Sequence, residues 1–256
     1  MFSSDGLPRP LVTLVTDFGL DDWYVAAMKG VLMRHCAAAR IVDITHMVPP
    51  GDVLHASIAL ERAIAAFSKG AVHLAVVDPG VGTARRAIIA MIDGQIVIAP
   101  DNGLITWAMQ RRRGGQVYQI DWRPQKISAT FHGRDLFAPV AGMLADGVAI
   151  EELAHAIDDP IMLDLSLSTA SQGYVIHLDR FGNAMTNLPR EVLERLGARQ
   201  VKVGDKTLAI KETYAQVETG EALALIGSSD LLELAVNGGS AAKTLGVKVK
   251  DQVVLV

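Results

Sequence analysis

The 256-residue chain contains a single cysteine, Cys36. One thiol cannot close an internal disulfide, and it excludes every cysteine-rich zinc site. That usage fits a reducing compartment. No uninterrupted apolar run approaches the roughly 18 residues needed to cross a bilayer. The opening MFSSDGLPRP lacks a basic stretch leading into an apolar core, so no signal peptide is expected. Basic excess is missing as well: 24 Lys and Arg against 28 Asp and Glu leave a net charge of −4. A general nucleic-acid binder carries surplus positive charge instead. The seven histidines show no HxxxH-type ligand spacing, so a metal centre is not favoured. These absences together predict a soluble cytoplasmic protein that binds neither nucleic acid nor membrane.

Half of the residues are hydrophobic and a fifth are charged, which excludes disorder and provides a substantial core. Short apolar runs at 11–16, 40–45, 71–78, 87–92 and 95–100 read as strands. Helix-like stretches at 22–35, 52–68, 104–112 and 136–146 lie between or after them, with a short helix expected over 150–156. In the first of these helices, Ala26, Met28, Val31, Leu32 and His35 share much of one face. The alternation predicts a mostly parallel α/β domain over 1–160. Helix periodicity fails around Asp159-Pro160, and a serine-containing linker is expected over 161–173. Strand candidates at 174–179, 199–204, 206–210, 222–227 and 247–255 predict a smaller β-rich domain over 174–256, with helices only at 190–196 and 230–236. The negative balance lies entirely in the first part: residues 1–165 hold 14 basic and 18 acidic side chains, residues 166–256 ten of each.

In open α/β sheets, ligands bind at the carboxyl ends of strands. Three acidic clusters fall there: TDFGLDD (16–22), VDPGVGTARR (77–86) and APDNG (99–103). Gly19 permits a tight turn that lets Asp17 and Asp22 both face the sheet edge, although Asp21 or Asp22 also suits a helix cap. Paired carboxylates suit ribose hydroxyls, an ammonium group or a metal. The calcium cluster of nucleoside hydrolases, D-x-D-x-x-x-D-D, is a competing pattern, but Val15 stands where its first aspartate belongs. The glycines of DPGVG make a turn, and no Gly-Lys-Ser/Thr follows to complete a P-loop. Asp78 near Arg85 and Arg86 is open to two readings, a plain salt bridge or an acid–arginine site. His132 in FHGRD (131–135) is open in the same way, a lone histidine being more often structural or exposed than catalytic.

The motifs in combination go further. TDFG-x-x-D-x-Y-V-x-x-M-K-G (16–30), D-I-T-H-x-x-P-P-x-D-V (43–53), V-D-P-G-V-G-T-x-R-R (77–86), A-P-D-N-G-L (99–104), F-H-G-R-D (131–135), D-x-F-G-N-x-x-T-N (179–187) and G-S-S-x-L-L-E-x-A-x-N (227–237) occur in order. Together they resemble the S-adenosylmethionine hydroxide adenosyltransferases, the hydrolase relatives of fluorinase and chlorinase, over roughly residues 11–256.

The resemblance implies an N-terminal α/β domain and a C-terminal β-barrel-like domain. It implies a homotrimer with the substrate held between neighbouring subunits, no cofactor, and cleavage of S-adenosylmethionine by water into adenosine and L-methionine. The family's Asp-Arg-His triad carries over onto Asp78, Arg85 and His132, with Arg85 expected to hold the water. Among substrate contacts, Asp17 is implied to take the ribose hydroxyls, and Asp22 and Asp179 the methionine ammonium. Phe181 and Asn183 are implied to meet adenine, Asn237 and Gly238 its edge, and Ser228 the amino-acid end. Asn102 joins this set. Gly51 departs from the halogenases, which place tryptophan there. A metal-dependent nucleoside hydrolase or nucleotidase, a non-catalytic S-adenosylmethionine or adenosine sensor, and residual halogenase activity are the alternatives.

Overall fold

The computed structural model describes residues 9–256. Positions 1–8, most of the segment read for a signal peptide, lie outside the described residues. The chain divides into two compact units, the first ending at Leu165 and the second running Ser166–Val256.

The first unit is a seven-stranded sheet. Its strands are β1 (Leu11–Thr16), β2 (Arg40–Thr45), β3 (Val72–Val76), β4 (Ala87–Ile92), β5 (Gln95–Pro100), β6 (Gln116–Ile120) and β7 (Ala154–Ile157), in the order β2-β1-β3-β5-β4-β6-β7. Strands β2, β1, β3 and β5 pair in parallel, while β4 and β7 run against their neighbours. The central strands read as continuous apolar runs because both faces of the sheet are covered. Leu14, Leu74 and Ile89 face α1 (Tyr24–His35) and α4 (Ala138–Ala145). Val15, Ala75 and Ile88, one residue further along or back, face α2 (Val53–Ala66) and α3 (Thr106–Arg111). The period of two thus divides one hydrophobic strand between two cores. On α1 the buried stripe is Val25, Met28 and Leu32; Ala26 and His35 are exposed, contrary to the expected face.

The second unit is a closed barrel. β8 (Gln172–Leu178), β9 (Ala184–Pro189), β10 (Gln200–Val203), β11 (Lys206–Lys211), β12 (Ala222–Ile226), β13 (Leu231–Val236) and β14 (Gln252–Leu255) close in the order β10-β11-β12-β13-β9-β8-β14. Val175, Leu188, Val201, Leu232, Leu234 and Val253 fill it. Two short helices, α5 (Arg190–Leu196) and α6 (Ala241–Leu245), accompany the strands.

Two helical expectations are corrected. Of residues 230–236, Leu231–Val236 form β13, paired to β12 and β9 on either side. Leu, Glu and Ala favour helix in isolation, but burial between two strands overrides that preference. Residues 150–156 form one 3-10 turn, Ile150–Glu152, followed by β7. β6 and β9 were not expected, and the last strand is shorter than 247–255.

The contact between α1 and α4 is unusually close at Gly142. A Cβ there would lie 2.6 Å from His35 Cβ and 2.8 Å from the Leu32 carbonyl oxygen. Alanine's helix propensity exceeds glycine's by about 1 kcal/mol, whereas overpacking costs about 1–3 kcal/mol. Gly142→Ala is therefore expected to lower the thermal midpoint; a raised midpoint in calorimetry would contradict this contact.

Candidate active site

β1, β3 and β5 lie side by side in parallel, so the loops after them share one edge of the sheet. Asp78 follows β3 by two residues. Beyond it the chain turns tightly: Thr83 Oγ1 donates to the Gly80 carbonyl at 2.7 Å and accepts from the Arg85 amide at 3.3 Å. This turn brings Arg85 back onto Asp78. Arg85 Nε donates to both carboxylate oxygens, at 2.9 and 3.0 Å, and Nη2 donates to Oδ2. The two side chains are 10% and 6% exposed. Phe137 lies against the guanidinium, 5.1 Å from ring centroid to Cζ.

Arg85 Nη2 also lies 3.0 Å from His132 Nδ1. Arginine has no acceptor, so Nδ1 must accept and the proton of the neutral ring sits on Nε2. Burial and then the positive charge of Arg85 push the imidazole below its ordinary value of 6.5; Asp78 opposes them. His132 immediately precedes a single π-turn, Gly133–Phe137, that leads into α4. The segment before it rests on the DPGVGT turn. A Cβ on Gly82, whose φ is +79°, would sit 2.4 Å from the Ala129 carbonyl oxygen. Glycine is required there both for the turn and for the approach of the two loops.

The adjacent arginine has different work. Arg86 Nε donates to Asp101 Oδ2 at 2.7 Å and Nη1 to Asp159 Oδ1 at 2.6 Å, while Asp101 Oδ1 accepts the Ile161 amide at 2.8 Å. Arg86 and Asp101 thus fasten residues 159–161 to the sheet.

Asp17, Asp78 and His132 line a cavity of about 700 Å³, together with Gly51 and the aromatic side chains of Phe18, Trp23, Tyr24 and Phe131. Arg85 stands behind Asp78 and His132 rather than among the lining residues. Asp17 Oδ2 accepts the Gly51 amide at 2.8 Å. Tyr24 and Phe131 meet edge to face at 5.3 Å, Trp23 and Tyr24 are 4.7 Å apart, and the Arg134 guanidinium lies 5.0 Å from the Phe131 ring. These aromatics were not singled out from the sequence. A signal existed: in a chain only 5% aromatic, Phe18, Trp23 and Tyr24 fall within seven residues that run from just after the end of β1 to the first residue of α1.

The other expected residues are placed as follows. Asp22 is exposed and outside the cavity lining. It does not cap α1, and neither does Asp21: the N-cap is Trp23, without a side-chain hydrogen bond. The Asn102 amide is engaged by backbone, donating to the Val77 carbonyl at 2.9 Å and accepting from the Leu104 amide at 3.2 Å. In the second unit, Phe181, Asn183, Asn237 and Gly238 line a cleft of about 500 Å³ with Tyr214, which the sequence did not flag. Phe181 is 78% exposed. Asp179 supports this cleft from within its turn, accepting the Asn183 amide at 2.8 Å and Asn183 Nδ2 at 3.0 Å. Ser228 is exposed and does not line the cleft. Among the described residues no three His, Cys, Asp or Glu side chains group as a metal site requires, and no helix is long and apolar enough to cross a membrane.

Comparison with known proteins gives a consistent result. Residues 12–154 match the model of the SAM hydroxide adenosyltransferase N-terminal domain, and residues 173–254 that of its C-terminal domain. An (R)-S-adenosyl-L-methionine hydrolase from Thermus thermophilus is 41% identical over 94% of this chain and 96% of its own length. One from Salinispora tropica is 39% identical over 96% and 97%. A crystal structure of an uncharacterized conserved protein from Thermotoga maritima superposes with a TM-score of 0.90 at 36% identity, covering 96% of this chain and all of that one.

The fork predicts a measurable property of the imidazole. In histidine-ring NMR, His132 is expected to titrate below 6.5. In Arg85→Gln, which removes the nearby positive charge, its midpoint is expected to rise. A midpoint unchanged by that substitution would mean that Nδ1 does not face the guanidinium in solution.

Proposed function

The chain belongs to the SAM hydroxide adenosyltransferase family, and from that premise we propose that it hydrolyses S-adenosyl-L-methionine to adenosine and L-methionine. The supporting observation is the Asp78–Arg85–His132 fork, two of whose members open onto a cavity of nucleoside-binding size.

In the proposed reaction, water oxygen bonds to C5′ of the ribose as the C5′–S bond breaks. The bonding pair goes to sulfur, which leaves as a neutral thioether, and one of the water's protons is released to bulk solvent, carrying away the positive charge that sulfur has given up. Expelling a neutral group from a sulfonium needs no general acid, so the difficulty lies with the nucleophile. Arg85, fixed behind the cavity wall, favours hydroxide character in the water by its positive charge. Asp78 holds Arg85 flat, and its Oδ1 accepts only Nε among the described residues, which leaves a lone pair for the water's O–H. Neutral His132 presents Nε2–H as the donor that positions the oxygen. In-line placement of water and sulfur supplies up to about 7–11 kcal/mol in the best intramolecular cases. Attack by an anion on a cation disperses charge, and the aromatic walls supply the low-polarity surroundings that favour it.

In the same reading, Asp17 takes the ribose hydroxyls and the Phe181–Asn183–Asn237–Gly238 cleft takes adenine. Asp22, Asp179 and Ser228 belong to the amino-acid end, and Asn102 acts by supporting the loop after β3. In this reading the enzyme is a cytoplasmic protein, and, as the family resemblance implies, a homotrimer in which a neighbouring copy's second unit completes each site. It needs no cofactor, since the bond to be broken is already activated by the charge on sulfur.

Arg85→Ala is expected to lower kcat by about 10²–10³-fold, the usual cost of losing a preorganised electrostatic group. Arg85→Lys, with the charge but not the fork, should fall between. Hydrolysis in oxygen-18 water should label the adenosine 5′-hydroxyl. Turnover near wild type in Arg85→Ala, or unlabelled adenosine, would sink the proposed mechanism.

A further inference from the structure

The D-I-T-H motif at 43–46 has no part in the proposed reaction, yet it is tied to the loop that carries Asp17. Thr16, the last residue of β1, is fully buried. Its hydroxyl accepts the Phe18 amide at 3.3 Å and lies 2.8 Å from His46 Nδ1. His46 is itself buried, and its Nε2 lies 3.1 Å from Asp43 Oδ1, a close approach whose alignment does not make a hydrogen bond. Asp43 Oδ2 takes Lys29 Nζ at 2.6 Å. Burial pushes the Asp43 carboxyl up, but the Lys29 hydrogen bond and the His46 ring beside it outweigh this and hold the group below its ordinary range.

The backbone of His46 acts on the same loop, its carbonyl accepting the Gly19 amide at 2.8 Å. One histidine therefore grips the chain on both sides of Asp17, at Thr16 and at Gly19. The grip stands on the β2 side of β1, where the β1–β2 register shifts between Leu14 and Val15 while the β1–β3 pairing continues regularly to Thr16. Beyond this grip, the Asp17 carboxylate has one hydrogen bond among the described residues, from the Gly51 amide to Oδ2. A single bond leaves the plane of a carboxylate undetermined. Fixing the backbone on either side sets the direction of the side chain, and a binding group must be held within about 0.5 Å to act.

We propose that Thr16, His46 and Asp43 form a positioning relay that orients the Asp17 carboxylate for the two ribose hydroxyls. None of the three lines the cavity, so each acts through Asp17, and the proposal rests on the reading of Asp17 as the ribose-binding group. Thr16 and His46 are positioning residues for sugar recognition.

The test compares adenosine with 2′-deoxyadenosine binding to the full-length protein by calorimetry, together with steady-state kinetics. Wild type should prefer adenosine by at least about tenfold, as a site built to hydrogen-bond a hydroxyl does. Thr16→Val keeps the shape and removes the hydroxyl. It is expected to reduce that preference by about fivefold or more and to raise KM for S-adenosylmethionine in proportion, with kcat within about threefold, because ribose contacts are shared by ground and transition states. Thr16→Ser restores the hydroxyl and should return both values toward wild type. If Thr16→Val does not fold, His46→Gln takes its place: it keeps a polar side chain beside Asp43, loses the imidazole partner of Thr16, and should show the same reduced preference. A folded variant of either kind with the wild-type preference overturns the relay. Asp17→Asn separates the two levels. A reduced preference in Asp17→Asn alone rejects the relay and keeps Asp17 as the ribose group; an unchanged preference in Asp17→Asn rejects that assignment and the relay with it.

Discussion

Arginine donates and never accepts, and most of the first unit's candidate chemistry is arranged around that fact. With Nε and Nη2 both directed to Asp78, the remaining Nη2 proton meets His132 Nδ1. One guanidinium thereby fixes a carboxylate, a ring orientation and a tautomer. The pair is nearly dry, with side chains 10% and 6% exposed. Desolvating two charges cancels most of their attraction, so such a pair adds little to stability. What it supplies is a fixed positive charge directly behind a cavity wall, in a place where water cannot screen it.

Holding that charge in place takes several ordinary structural devices. A tight turn returns Arg85 to Asp78, Phe137 supports the guanidinium from the side, and Gly82 lets the 128–131 segment close over the turn. Asp78 and Asp17 follow adjacent parallel strands, whose own positions are set by cores on both faces of the sheet. The polar groups therefore sit on loops, while the elements that aim them are rigid. The second unit follows the same scheme with a barrel: the turn after β8, closed by Asp179 and Asn183, presents Phe181 outward.

Neighbouring residues of like type do unlike work here. Arg85 serves the cavity, whereas Arg86 holds Asp101 and Asp159 and fastens the chain end of the first unit to the sheet. Asp17 lines the cavity and Asp22 does not; Asn183 lines a cleft while the Asn102 amide is consumed by backbone. Side-chain chemistry alone does not separate these pairs. The direction of the local backbone does.

The amino-acid sequence by itself determined the layered α/β first unit, the β-rich second unit and the three acidic strand ends. Each of these follows from local periodicity and turn residues acting over a few positions. The ordered motifs also carried the family resemblance. Where the residue pattern left Asp78 and His132 open and only the resemblance chose, tertiary structure brought Arg85 and not Arg86 onto Asp78 and His132 to them from 47 residues away, and it made 231–236 a strand. It alone gathered Phe131, Trp23 and Tyr24 around one cavity and put Thr16 against His46. Such outcomes depend on which segments the sheet brings side by side and on burial that overrides local preference, and neither is encoded in the spacing of residues along the chain.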